Sequence, residues 1–103
     1  MVRLNGILKG DKPVLVEFFA SWCPHCQKMH PILDRVEKKE KENLRVERYD
    51  IDAPENEKLL SYYRVQSVPT FLLFYHGDQV WRQSGEMSQE QLEEIVGKYI
   101  ERG

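Results

Sequence analysis

An apolar run, Val14-Leu-Val-Glu-Phe-Phe-Ala20, is separated by only Ser21 and Trp22 from a Cys-Pro-His-Cys tetrad, Cys23 to Cys26. No other feature constrains the fold as tightly. The run has strand length, is rich in β-branched and aromatic residues, and shows no polar alternation. It therefore predicts a strand covered on both faces, inside an α/β sheet. Past the tetrad the period changes. Cys26, Met29, Leu33 and Val36 fall on one stripe of a helix. Pro24 suits a first helical turn, where its missing N–H would have no partner anyway. Pro31 lies inside the pattern and predicts a kink.

Leu44 to Ile51 predicts a second strand, with Leu44 and Val46 on one face and Tyr49 and Ile51 on the other. Asp52-Ala53-Pro54 ends it, and Glu55 to Tyr63 reads as a short helix. Val65 to Tyr75 predicts a third strand, His76-Gly77-Asp78 carries turn chemistry, and Gln79 to Arg82 returns antiparallel as a hairpin. Ser88 with Gln91 forms a capping-box pattern ahead of Leu92, Ile95, Val96, Tyr99 and Ile100. Gly97 within that stripe costs about 1 kcal/mol relative to Ala, which suggests close packing there. The mixed-sign run Glu37 to Glu42 reads as a solvated helix end. The order β, α, β, α, β, β, α predicts a mixed sheet covered on both faces, with a parallel centre and an antiparallel hairpin at one edge.

A chain of 103 residues carries a single domain, residues 1–103. Fifteen Lys and Arg against 17 Asp and Glu leave a net charge of −2, which argues against a nucleic-acid partner. No apolar stretch approaches the roughly 18 residues that span a bilayer, so no membrane partner is expected. Arg3, Asn5 and Lys9 interrupt the apolar residues at the start, so no signal-peptide core is present. A cytoplasmic protein is expected, with a periplasmic or secreted location the alternative if a leader has been removed. Two cysteines are too few for a disulfide scaffold, and a pair this close points to chemistry.

The chemistry follows from where the strand hands over to the helix. Cys23 falls at a helix N-terminus, where unpaired N–H groups and the macrodipole favour an anion, and the thiolate is the nucleophile. His25 adds a potential positive charge in the same turn. Cys26, one turn further in, is placed to attack a mixed disulfide formed at Cys23.

The stretch from Pro13 through Trp22-Cys23-Pro24-His25-Cys26, with Pro31 in the helix, resembles the thioredoxin superfamily. Tyr49-Asp-Ile-Asp52, Val68-Pro69-Thr70 and Gly85 extend the likeness over Lys12 to Ile100. The resemblance implies a thioredoxin-like three-layer α/β sandwich acting as a thiol–disulfide oxidoreductase. It also implies a cis Val68–Pro69 bond facing the cysteines, with the backbone before the proline pairing to an extended substrate. Trp22, Val68, Pro69 and Gly85 would border the substrate groove, plain core packing being the competing reading for Trp22. Glu17 matches the family's buried carboxylate, the proton acceptor for the resolving cysteine. Arg48 matches the family's partnering Lys, so a Glu17–Arg48 pair is expected, with a purely structural ion pair as the alternative. The cysteine pair is itself the redox centre, so no cofactor or metal is expected. Implied partners are protein disulfides or dithiols and a thioredoxin reductase or equivalent donor, for a monomeric protein.

Three departures modify these expectations. Pro24-His25 stands where typical thioredoxins have Gly-Pro and resembles the periplasmic disulfide oxidase DsbA, so both residues are expected to tune the potential. The chain has no room for that protein's helical insertion. A reductant is favoured, with an exported oxidase or isomerase as the alternative. Only 13 residues precede the first apolar strand, which predicts a lone helix near Arg3 to Lys9 and about four strands, the usual first one missing. Phe19 stands where a second active-site Trp is common. Two minor alternatives complete the set. One is structural zinc on Cys23, Cys26 and His30 with His25 or His76, although no second C-x₂-C is present. The other is a redox-inert peptide-binding module. Haem attachment needs His directly after the second cysteine, where Gln27 stands.

Overall fold

The apolar run becomes β1, Val14–Phe19, buried along almost its whole length. A computed structural model describes residues 11–100, and the helix expected near Arg3 to Lys9 lies outside them. After β1 come α1 (Pro24–Lys39), β2 (Arg45–Asp50), a 3₁₀ turn (Pro54–Asn56) and α2 (Glu57–Tyr62). β3 (Thr70–Tyr75), β4 (Asp78–Ser84) and α3 (Gln89–Gly97) complete the described chain.

The four strands form one mixed sheet in the order β2-β1-β3-β4. Only β1 and β2 run parallel, and the central contact of β1 with β3 is antiparallel, contrary to the parallel centre expected. A continuous apolar run marks burial on both faces and carries no information on strand direction. The chain re-enters β3 at the end of the sheet where it left β2.

Alternation along the strands divides the core into two layers. Leu15 and Leu73 face Met29, Leu33 and Val36 of α1 and Leu92 and Val96 of α3. Val14, Val16, Phe18, Leu72 and Phe74 face the other way, against Leu59 of α2. By its place in the alternation, Glu17 shares the α1 face with Leu15. The β3–β4 turn is a two-residue loop in which His76 (φ 51°) and Gly77 (φ 85°) are both left-handed, the geometry that matches strand twist.

Local readings fare unevenly. The capping box at α3 forms as expected, with Ser88 and Gln91 bonding reciprocally. α1 runs unbroken through Pro31. Residues 65–69 are irregular, and β3 starts only at Thr70, because Pro69 has no N–H to give a ladder. Gly97 ends α3 in open space. A Cβ there would meet nothing within 4 Å, so the close packing expected of it is absent.

Candidate active site

The strand-to-helix junction places the cysteine pair. Cys23 is the N-cap of α1, and its Sγ accepts the Cys26 N–H at 3.4 Å. The Cys23 thiol in turn donates to the Val68 carbonyl at 3.8 Å. Pro24 occupies the first turn, and both cysteines are free thiols. Cys26 is completely buried, against Ala20 and Cys23. Burial pushes the Cys26 thiol up to about 12. Hydrogen bonding and charge from Cys23 and the charge of Glu17 add to the rise, while a hydrogen bond with the Ala20 backbone opposes it.

The far wall comes from the loop before β3. Val68–Pro69 is a cis peptide. The Thr70 hydroxyl donates to the Ser67 carbonyl at 2.7 Å and contacts the Ser84 hydroxyl at 2.8 Å, tying this loop to β4. Gly85, at a left-handed φ of 96°, gives its N–H to the Pro69 carbonyl at 2.9 Å. Beside Cys23 opens a groove of about 480 Å³, lined by Trp22, Ile51, Leu60, Val65 and Val68.

Trp22 is 63% exposed, which removes the core-packing reading. Its Nε1 donates to Asp52 Oδ2 at 2.7 Å, while Asp52 is itself held by its N–H bonding to Asp50 Oδ1 at 2.9 Å. The Trp22–Asp52 bond bridges 30 positions and was not foreseen; Asp52 stood in the sequence only as part of a motif.

Glu17 is fully buried, and neither of its carboxylate oxygens receives a hydrogen bond among the described residues. Burial raises its carboxyl to about 7, with the charge of Arg48 opposing the rise. The expected direct Glu17–Arg48 pair does not form. The two are register partners across β1 and β2, but the Arg48 guanidinium donates to Asp34 at 2.8 Å and Glu37 at 3.2 Å, both on α1. Two more accessible carboxylates outcompete a desolvated one, and Arg48 acts on Glu17 only through its field.

His25 is exposed, and its Nδ1 pairs with Glu86 Oε2, in the loop after Gly85. Glu86 was likewise missed, because no local pattern signals a contact across 61 positions. His30 lies edge-on to Phe19, ring centres 5.5 Å apart, and His76 sits in the β3–β4 turn. Among the described residues, no group of three or more His, Cys, Asp or Glu side chains could hold a metal ion. Nor, among them, is any helix long and apolar enough to cross a membrane.

A dithiol at a helix N-terminus, one sulfur beside a backbone carbonyl and the other sealed beneath it, defines a site for thiol–disulfide exchange. The thioredoxin family model matches residues 4–98, so this chain belongs to the thioredoxin family. It is 36% identical to the thioredoxin of Rickettsia typhi over 96 residues, covering 93% of this chain and 90% of that one. It is 37% identical to the thioredoxin of Alicyclobacillus acidocaldarius over 86 residues, covering 84% and 80% of the two chains. A variant thioredoxin from Halobacterium salinarum superposes with a TM-score of 0.84 at 31% identity, covering 100% of this chain and 88% of that one. A thioredoxin from Nicotiana alata gives 0.83 at 30% identity, covering 94% and 81%. The protein is a thiol–disulfide oxidoreductase of thioredoxin type.

Proposed function

We propose that the protein reduces disulfides in other proteins, with Cys23 as nucleophile and Cys26 as resolving thiol. The observation that carries this reading is the asymmetry of the pair: Cys23 caps α1 and lines the groove with 4% of its surface exposed, whereas Cys26 is wholly buried and its thiol is pushed up to about 12. The Cys23 thiolate attacks one sulfur of the substrate disulfide, forming a mixed disulfide and releasing the other substrate sulfur as a thiolate that takes up a proton. Glu17 accepts the proton of Cys26, directly or through water, its carboxyl at about 7 being suited to proton exchange near neutrality. The Cys26 thiolate then attacks Cys23 Sγ, expelling the second substrate sulfur as a thiolate that takes up a proton, and leaving a Cys23–Cys26 disulfide. Two electrons have passed to the substrate, and a thioredoxin reductase or equivalent donor returns them.

Trp22, Val68, Pro69 and Gly85 hold the substrate segment, which pairs with the backbone before Pro69 as an added strand. Pro24 and His25 set the potential, and Arg48 moderates Glu17 through its charge. No cofactor takes part. A cytoplasmic, monomeric reductant is the form this reading takes. The test is dithiothreitol-driven reduction of insulin, followed by turbidity. Wild type accelerates precipitation and Cys23→Ser does not. Equal rates with and without the wild-type protein overturn the proposal.

A further inference from the structure

An imidazole and a carboxylate from different elements meet at the rim of the cysteine site. His25 sits in the first turn of α1 with its side chain 63% exposed. Glu86 arrives from the end of β4, directly after Gly85, whose N–H is bonded to Pro69. Their hydrogen bond spans the rim. That bond, with Lys28 of α1 pulling the same way, holds the Glu86 carboxyl below the usual carboxylate range. Meanwhile the Cys23 sulfur is engaged by Val68 and Cys26, not by the imidazole.

We propose that Glu86 is a positioning residue which holds His25 on the rim and offsets the positive charge the imidazole carries when protonated, so that a histidine between the cysteines does not make the pair strongly oxidising. The inference rests on the disulfide-reductase reading and deepens it. An uncompensated cation in the same helical turn favours the Cys23 thiolate, stabilises the dithiol and raises the potential. A carboxylate bonded to that cation largely cancels its field at the sulfur. The charged and titratable groups involved are His25, Lys28 and Cys23 of the α1 segment and Glu86 of the facing loop.

The test is the equilibrium with glutathione at pH 7. Two glutathione thiols supply two electrons and two protons to the Cys23–Cys26 disulfide, giving the dithiol and one glutathione disulfide. Wild type is compared with Glu86→Ala, Glu86→Gln, Glu86→Asp, His25→Ala and the double variant His25→Ala/Glu86→Ala. Loss of the Glu86 charge is expected to shift the equilibrium toward the dithiol by about 1.4- to fivefold, the scale of an exposed pair. Glu86→Asp should stay closer to wild type than Glu86→Gln does. Without His25, the logarithmic shift from Glu86→Ala should fall below half its value in wild type. An unchanged equilibrium in Glu86→Ala and Glu86→Gln overturns the inference while leaving the reductase reading intact. So does an equal shift in the absence of His25. Absence of any reversible couple in wild type overturns both.

Discussion

The backbone N–H of Cys26 points at the Cys23 sulfur, 3.4 Å away, while the Cys26 side chain is sealed from solvent. One sulfur thus accepts the amide that caps the helix, while burial works against charge on the other. Iodoacetamide at pH 7 should modify Cys23 and leave Cys26, whose thiol is held up to about 12, unreacted. Cys26→Ser should accumulate a mixed disulfide at Cys23 with a protein substrate. Peptide mass mapping checks both, and a first adduct on Cys26 would reverse the assigned roles.

Glu17 makes stability depend on pH. Its carboxyl titrates at about 7 in the folded protein, against 4.5 as the ordinary value. Between those limits the folded state holds more protons than the unfolded one, so stability falls as pH rises through the window. The penalty is absent below it and complete above it, on the order of 3 kcal/mol. Urea unfolding at pH 5 and pH 8 should show this loss in wild type and a much smaller one in Glu17→Gln. Arg48→Met removes the charge that opposes the shift and should extend the window upward. Parallel pH dependence in wild type and Glu17→Gln would show that Glu17 is not the group responsible.

The Trp22–Asp52 hydrogen bond fixes an indole that is otherwise exposed at the groove. Asp52→Ala should lower kcat/KM for a protein disulfide by about two- to tenfold, mainly through KM, as about 0.5–1.5 kcal/mol of orientation is lost. Thermal stability should barely move, because the bond is at the surface. Unchanged kcat/KM would mean that the indole needs no such anchor.

Gly97 offers a stability gain. It has helical geometry at the end of α3, and a Cβ would meet nothing within 4 Å. Gly97→Ala should stabilise by up to about 1 kcal/mol, read from the urea midpoint. A loss would mean that the helix end needs the backbone freedom of glycine.

What the sequence reveals and what it conceals divides by range. β1, the stripe on α1 and the Ser88 capping box rest on contacts within one turn or one strand, so their patterns show directly. The pairing of Cys23 with Cys26 is equally local. The direction of β3 depends on the end of the sheet to which the connection from β2 returns, and its start depends on the missing N–H of Pro69; neither shows as a change in apolarity. Arg48 is in register with Glu17, as the motif suggests, yet its long side chain answers to Asp34 and Glu37, whose placement depends on the phase of α1 over the sheet. The bonds of Trp22 to Asp52 and of His25 to Glu86 exist only once the whole sheet is assembled.

The most direct test of the reductant is the reduction potential of the Cys23–Cys26 pair, measured against a glutathione series. A value near about −270 mV is expected, in the range of thioredoxin. A value between about −200 and −120 mV would contradict it and identify a disulfide oxidase or isomerase built on the same fold.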